Sequence, residues 1–488
     1  MIPATGPGSA ALLTRAADDR LAHVSSPLPA LHEHCGYIST AQFLSHVAAL
    51  AAQLPEAPYA INLCENRYLF LVSFCACLAK HQTNLLPANK TSGALAAVRE
   101  QFAHSYILHD GRTQNEGILA DQHAVNINQL ALGTGEAVDV PLIALEHIAA
   151  IVFTSGSTGQ PQPIAKPWHT FVRSTQINAG HMLAGDEQLY YGVATVPGQH
   201  MWGLETSILM PLMHRLCISD TQPFYPLDLC RALARFDTPR LLVTTPFHLR
   251  ALLMSTLELP RIARMLCATA PLSAALAEQA EAACQATLRE IYGCSEAGSL
   301  AVRRTATTRY WQLFDGFELQ PAGTASTAAT HWQLTAAHLP HVVRLQDNID
   351  IHTAADAAPH PVYFSLHGRS QDLVKVAGKR ASLMELNSVL ERCTEVQDGI
   401  IFVPTTDTGG QAERVAAIVV LQPGARKEAV LQFFKTQVDP VFAPRPLYVT
   451  DALPRQDNGK ISQHSLQQLY QQLQRPARSR AARQDSRD

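Results

Sequence analysis

Short strand-like runs, each separated from the next by helix-compatible sequence, recur along this chain and limit what it can fold into. They include Tyr59-Ala60-Ile61-Asn62-Leu63, Ala149–Phe153, Tyr190–Ala194, Arg240–Thr244 and Arg264–Cys267. Apolar helical patterns lie between such runs from Leu44 to about Ala150. Alternating strands and helices bury their apolar faces by layering helices on mainly parallel sheets, so the expected class is α/β. No internal repeat is evident. At 488 residues the chain exceeds the size at which one hydrophobic core keeps growing, so two or more domains are expected.

The pattern also indicates where the chain divides. Residues 1–25 are rich in Ala, Gly and Pro and are expected to be loosely ordered. Ala322 to Thr330 and Ala354 to Pro361 read as loops. After Arg369 a βα-like pattern resumes: strand Leu373–Val376, a helix from Leu383 to about Arg392, strands Gly399–Val403 and Val415–Leu421, and a helix from Lys427 to about Gln437. That is enough for a separate domain of about 100 residues, with its boundary near Arg369 to Asp372. The expected organisation is a large domain of layered α/β sheets over residues 26–370, a small α+β domain over 371–474, and a disordered basic tail over 475–488. The tail carries five arginines among small polar residues. It reads as a solubilising end, with contact to an acidic partner as the alternative.

Composition removes several function classes. The chain is 47% hydrophobic and 16% charged, as soluble globular proteins are. A net charge of -3 gives no reason to invoke nucleic acid. No apolar run reaches the ~20 residues needed to span a bilayer, and Tyr68 to Ala79 reads as a buried helix. The N-terminus, MIPATGPGSA, lacks the basic region and apolar core of a signal peptide. Ten cysteines are scattered without a C-x-x-C pair, which reads as a reducing, cytoplasmic compartment. Cys75 and Cys77 fall in the apolar helix as small core residues. His32, His34 and Cys35 have no second cluster to complete a metal site and read as a solvated loop.

The run Ile148 to Phe153 ends in Thr154-Ser155-Gly156-Ser157-Thr158-Gly159. Glycines let the backbone approach an anion, and free N–H groups and hydroxyls can then surround phosphate oxygens. An ordinary Ser/Gly/Thr turn is the plain alternative. A Walker loop needs Gly-Lys followed by Ser or Thr. Gly159 is followed by Gln160, and Gly459-Lys460 by Ile461, which disfavours a kinase or NTPase. Three further segments follow in order: Tyr292-Gly293-Cys294-Ser295-Glu296, then Gly368 to Arg380 (GRSQDLVKVAGKR), then Leu453 to Ile461 (LPRQDNGKI). Together the four motifs resemble the adenylate-forming, AMP-binding superfamily of acyl- and aryl-CoA synthetases, acyl-carrier-protein ligases and peptide-synthetase adenylation domains. The resemblance runs from about Ala60 to about Leu473.

The resemblance implies ATP, Mg2+ and a carboxylic acid as reactants. The acid is joined to AMP as a mixed anhydride and then passed to a phosphopantetheine thiol on CoA or a carrier protein. Bringing two anions together in line is mainly positioning and charge neutralisation. Thr154 to Gly159 would hold the β- and γ-phosphates. The family loop usually continues Pro-Lys-Gly; here Pro161-Gln162-Pro163 follows, with Lys166 as the substitute for the missing lysine. Glu296 matches the glutamate that holds Mg2+, a hard cation that wants one or two carboxylates beside phosphate oxygens. Ser295 keeps the hydroxyl of the commoner threonine. Tyr292 and Gly293 match positions that pack on adenine and border the acyl pocket. Ala268-Thr269-Ala270-Pro271-Leu272 matches the loop on adenine's other side. Asp347 resembles the ribose-binding aspartate without its usual Thr-Gly, and Asp350 competes with it. Arg369 offers a planar fork to ribose or phosphate oxygens.

Lys460 matches the adenylation lysine, which meets the carboxylate and the α-phosphate. Pro197-Gly198-Gln199-His200-Met201-Trp202-Gly203 resembles a P-x-x-H-x-x-G segment in which His200 gates the carboxylate site and Trp202 and Gly203 shape the acyl pocket. Gln371, two residues after Arg369, matches the hinge about which the small domain rotates between half-reactions, where the family usually has Asp or Lys. No cysteine stands in a nucleophile-like context, so the thiol is external.

Several segments are similar to one branch, the ligases of bacterial aryl-polyene and xanthomonadin-type pigment clusters: Asn62 to Tyr68, Leu85-Leu86-Pro87, Val374 to Leu383 and Pro444 to Val449. That likeness implies a small aromatic acid such as 4-hydroxybenzoate and an acyl carrier protein as acceptor. A medium- or long-chain acyl-CoA synthetase carries the same motifs. A non-catalytic nucleotide-binding scaffold is the reading from another class, opposed by the presence of Lys460, Glu296 and Arg369.

Overall fold

The structure, a computed structural model, describes residues 8–113, 116–119, 121–133, 138–154, 162–183, 188–322, 331–352, 362–369, 373–376, 379–404, 414–456 and 459–474. The chain forms two compact units. The first comprises Met1–Glu318, Leu334–Val343 and Asp356–Val362, and the second Leu319–Gln333, Arg344–Ala355 and Tyr363–Asp488.

Two large sheets organise the described residues of the first unit. One runs in the order Gln162–Pro167, Ile148–Thr154, Thr83–Leu86, Tyr59–Asn62, Ser105–His109, Ala124–Asn126. Its strands are parallel except the edge strand Gln162–Pro167, which returns antiparallel to Ile148–Thr154. The helix Arg67–Ala79 is buried from Arg67 to Leu78, all round its circumference. Such a helix cannot be amphipathic, and its solvent-free setting explains the unbroken apolar run in the sequence. Asn66 caps it by accepting from the Leu69 N–H, and Asp110 accepts from the Asn66 N–H. Among the described residues no helix is long and apolar enough to cross a membrane.

The other sheet runs Trp311–Leu313, Gly298–Arg303, Thr287–Cys294, Arg264–Cys267, Arg240–Thr244, Tyr190–Ala194, Leu216–Ser219, Arg20–Leu28, His34–Ser39 within this unit. The strands from Thr287–Cys294 to Leu216–Ser219 are all parallel. From Tyr190–Ala194 the chain steps to Leu216–Ser219 on one side, then returns to Arg240–Thr244 on the other. That reversal is a topological switch point, and open α/β sheets bind ligands outside the carboxyl ends of the strands there.

The expectation of a loosely ordered N-terminus fails for residues 8–25. Ser9–Ala11 pairs with Leu142–Ala144, and Arg20–Leu28 joins the second sheet beside Leu216–Ser219. Leu12, Leu13, Leu21, Ala22 and Val24 are buried in the main core. Three leucines and Val24 supply the anchors, with Ala10 and Ala22 buried beside them, while Ala16 and Ala17 are exposed on the turn between the two strands.

The second unit is α+β. Asp347–His352 pairs antiparallel with Tyr363–Arg369, and Leu373–Val376 with Lys379–Ser382. A three-stranded sheet orders Val396–Phe402, Ala416–Leu421 and Leu447–Val449. Alternate residues of Ala416–Leu421 serve opposite faces, as the period of a strand requires. Ala417 and Val419 pack with Leu386, Leu390, Val430 and Phe434 of helices Leu383–Glu391 and Lys427–Gln437. Ala416 and Ile418 pack with Leu466 and Tyr470 of helix Gln463–Gln474. The mixed α/β class with a large and a smaller part is as expected from the sequence.

Candidate active site

Of four consecutive parallel strands in the second sheet, three deliver predicted motifs to one edge. Tyr190–Ala194 runs into Pro197–Gly203, Arg264–Cys267 into Ala268–Leu272, and Thr287–Cys294 ends in Tyr292-Gly293-Cys294. Thr245 follows Arg240–Thr244 and caps the helix Pro246–Met254.

His200 is the N-cap of the short helix Met201–Leu204. Its N–H donates to the Pro197 carbonyl and its carbonyl accepts from the Leu204 N–H, so the residue is fixed from both sides. Upstream, the buried Arg67 guanidinium donates to the carbonyls of Ala194 (3.0 Å) and Val196 (2.8 Å) and to the Ser207 hydroxyl. Burial pulls its pKa down to about 10. Sequence reasoning did not find Arg67, because its partners lie more than 120 positions away. Trp202 is buried and its indole N–H reaches the Thr244 carbonyl at 3.4 Å. Gly203 has a packing role of its own: a Cβ there would lie 1.9 Å from the Pro197 carbonyl oxygen. Gly203→Ala is therefore expected to open the His200 turn, lowering stability by about 1–3 kcal/mol, the usual cost of overpacking. A thermal melt beside a pyrophosphate-exchange assay checks this; an unchanged melt and rate would contradict the close approach.

In the second motif, Thr269 has φ 84°. A β-branched residue at positive φ is a strained outlier, costing roughly 1–3 kcal/mol, of the sort that clusters at binding sites. The loop is tied down just beyond, where the Leu272 N–H donates to the Glu290 carboxylate at 3.0 Å. Glu290 also accepts from Arg303 (2.7 Å) and Thr305 (2.6 Å). Glu290 is buried, and burial raises its pKa against the pull of Arg303. The strand carrying Tyr292 is thus bonded to the loop carrying Thr269. Tyr292 packs against Trp311 at 5.7 Å, and Arg303 lies over the Trp311 ring.

Glu296 is exposed near the tip of a hairpin between Thr287–Cys294 and Gly298–Arg303, with Ser295 beside it. The register shifts between Tyr292 and Gly293, and a Cβ on Gly293 would lie 2.3 Å from the Gly298 carbonyl oxygen. The Cys294 thiol is pushed up to about 12, first by burial and then by the Glu296 charge, so it stays neutral. Lys166 is not offered to a phosphate. It is 1% exposed, and its ammonium donates to the Glu296 backbone carbonyl. The reason is the edge strand Gln162–Pro167, which turns this position inward.

Thr154 ends its strand, while Ser155, Gly156, Ser157, Thr158 and Gly159 lie outside the described residues, as does the hinge candidate Gln371. In the second unit Asp347 stands directly opposite Arg369 on paired strands. Asp350 instead faces His367 at 2.9 Å on an exposed face. Lys460 is exposed on a turn closed by Gly459 N–H to Gln456 O and Gln456 N–H to Lys460 O, both 2.8 Å. Gly459 takes φ 78°, which suits glycine. The Arg455 fork grips Asp398 at 2.6 and 2.8 Å and donates to the Gly459 carbonyl at 2.7 Å. A bidentate pair of this kind adds geometric definition. Arg455 was visible in the motif; Asp398, 57 positions earlier, was not.

The AMP-binding enzyme family model matches residues 31–324, and the AMP-binding enzyme C-terminal domain model matches residues 385–460. The 4-coumarate–CoA ligase of Rhodobacter capsulatus is 30% identical over 256 residues, 51% of this chain and 59% of that protein. The acetyl-coenzyme A synthetase of Deinococcus radiodurans is 31% identical over 24% of this chain and 19% of its own length. The chain thus spans less than two thirds of the length of these curated relatives. Among solved structures, ATP-bound MatB from Rhodopseudomonas palustris has a TM-score of 0.74 at 17% identity, covering 94% of this chain and 98% of that one. MenE, the o-succinylbenzoate CoA synthetase of Bacillus subtilis, in complex with its acyl-adenylate, has a TM-score of 0.70 at 15% identity, covering 88% and 93%. At such identities the structural likeness establishes the fold. The family match over residues 31–324 takes in more than half of the sequence, and the chain belongs to the AMP-binding enzyme family.

Proposed function

We propose that this protein is an acid–thiol ligase: it joins a small aromatic carboxylic acid to AMP at the expense of ATP, releasing pyrophosphate, and passes the acyl group to a phosphopantetheine thiol. The observation that carries this reading is the convergence of His200, the strained Thr269 loop and the Glu296 hairpin on the carboxyl ends of adjacent parallel strands at a switch point. Each then has a task. Tyr292 and Ala268–Pro271 flank adenine, His200 borders the acid's carboxylate, and Asp347 with Arg369 takes ribose. Thr154 to Gly159 takes the terminal phosphates. Lys460 brings positive charge to the carboxylate and α-phosphate, where negative charge must be gathered.

The residues fit Mg2+. Glu296 has its carbonyl tied to Lys166 and its side chain exposed, which leaves one hard carboxylate for a cation that prefers phosphate oxygens and water as its other ligands. Bound there, Mg2+ would neutralise charge on the phosphates.

The choice of acid rests on the sequence likeness to pigment-cluster ligases, on Trp202 beside His200, and on two relatives named for ring-bearing acids, 4-coumarate and o-succinylbenzoate. An indole wall favours a ring by ~0.5–1.5 kcal/mol beyond area and shortens the room for a chain. The acceptor is proposed to be a carrier protein in preference to free CoA. The test is pyrophosphate exchange with 4-hydroxybenzoate, octanoate and palmitate, followed by transfer to holo carrier protein and to CoA. Exchange is expected with the aromatic acid and transfer to the carrier. Preference for palmitate and CoA would replace this choice of substrates with that of a long-chain acyl-CoA synthetase. No exchange with any acid of a broad panel would leave the scaffold reading.

A further inference from the structure

Three motif-bearing pieces of the first unit meet at two buried charges that the proposed chemistry leaves without a task. Lys166 lies on the strand antiparallel to Ile148–Thr154, whose end opens the phosphate loop, and its register partner is Ala150. Glu205 comes five residues after His200 and begins a π-helical turn, Glu205–Leu209, continuous with the helix Met201–Leu204. Single π turns inside helices concentrate at functional sites. Each of the two side chains belongs to a residue only 1% exposed.

Both charges are spent on the Glu296 hairpin. The Lys166 ammonium donates to the Glu296 carbonyl near the tip. The Glu205 carboxylate accepts from the Ser299 hydroxyl at 2.7 Å and from the Ser299 N–H at 3.1 and 3.2 Å, at the start of the returning strand. Gly298, at φ 79°, makes room for this: a Cβ there would lie 2.3 Å from the Glu205 Oε1. Burial disfavours the charged form of both groups. It lowers the Lys166 pKa and raises that of Glu205, and each is opposed by the other's charge. An isolated buried charge is strongly disfavoured, and the hydrogen bonds to the Glu296 carbonyl and to Ser299 offset that cost.

We propose that Lys166 and Glu205 are positioning residues that fix the Glu296 hairpin at two points and join it to the His200 helix and to the strand that follows the phosphate loop. With the hairpin's carbonyl and base committed inward, the exposed Glu296 carboxylate is held ready for the cation. This inference rests on the reading of Glu296 as the Mg2+ ligand.

The test compares wild type with Lys166→Met, Lys166→Arg and Glu205→Gln. Calorimetry measures ATP affinity with Mg2+ and with EDTA, and a separate assay follows thiol transfer from chemically prepared acyl-adenylate. In Lys166→Met and Glu205→Gln the gain in ATP affinity on adding Mg2+ is expected to fall by about 10–100-fold, the usual effect of losing a group that orients a metal ligand, while EDTA affinity and thiol transfer change by less than about threefold. Lys166→Arg should recover part of the gain. Should Lys166→Met fail to fold, Glu205→Gln and Lys166→Arg still decide the matter. Equal loss with and without Mg2+, or no loss at all, would overturn the inference while leaving the proposed function standing. A wild type whose ATP affinity ignores Mg2+ would overturn the role of Glu296 itself.

Discussion

Lys460→Ala is expected to slow adenylation by about a hundred- to thousand-fold, or ~2.7–4 kcal/mol, the typical loss when one well-placed electrostatic contact to developing charge is removed. The same variant should transfer acyl groups from preformed acyl-adenylate to the thiol at close to the wild-type rate. Two features motivate the split. Lys460 is exposed, so its removal leaves no cavity, and the turn beneath it is defined by Gly459, Gln456 and the Arg455 fork on Asp398, none of which needs the ammonium. The fold should therefore survive and the loss should be chemical. If the small domain rotates about Gln371 between half-reactions, the lysine leaves the site before the thiol arrives and is dispensable for transfer. Pyrophosphate exchange reports the first step, and thioester formation from synthetic adenylate reports the second. Equal slowing of both would contradict the rotation.

What the sequence could disclose here follows from where each residue's partners lie. The strands Tyr190–Ala194, Arg240–Thr244 and Arg264–Cys267 are found residue for residue. Parallel strands covered on both faces read as unbroken apolar runs, so their signal is local. The same holds for the helix over Tyr68 to Ala79. The motif residues were legible because glycines and hydroxyls at fixed offsets are local too. Lys166 and Glu205 were not. Lys166 read as a stand-in for the phosphate-loop lysine and Glu205 carried no signal, because the hairpin that both bond lies some 90 to 130 positions later. Residues 8–25 went the other way: their Ala, Gly and Pro content suggested slack, while pairing with Leu142–Ala144 and Leu216–Ser219 ordered them and put Leu12, Leu13, Leu21 and Val24 in the core. Gly203, which the likeness assigns to the acyl pocket, lies close against Pro197, a contact that no local pattern discloses.

Glu296→Gln should lower adenylation by about a hundred- to thousand-fold for a different physical reason. The substitution keeps the shape of the side chain and removes only its charge. Glu296 is exposed and the hairpin is held through its carbonyl by Lys166 and through Ser299 by Glu205, so neither anchor involves the Glu296 carboxylate. Surface substitutions of this kind usually stay within about ±0.5 kcal/mol of wild-type stability, and the thermal melt should be unchanged. The kinetic loss should depend on Mg2+. A neutral amide binds a hard cation less well than a carboxylate does, so raising Mg2+ should recover part of the rate. Lys460→Ala, which removes a charge that Mg2+ does not replace at the carboxylate, should show no such recovery. Comparing the two variants across a Mg2+ titration separates the metal's task from the lysine's. Identical Mg2+ profiles in the two would mean that Glu296 acts on the phosphates without the cation, and the carboxylate that holds the metal would have to be sought elsewhere in the unit.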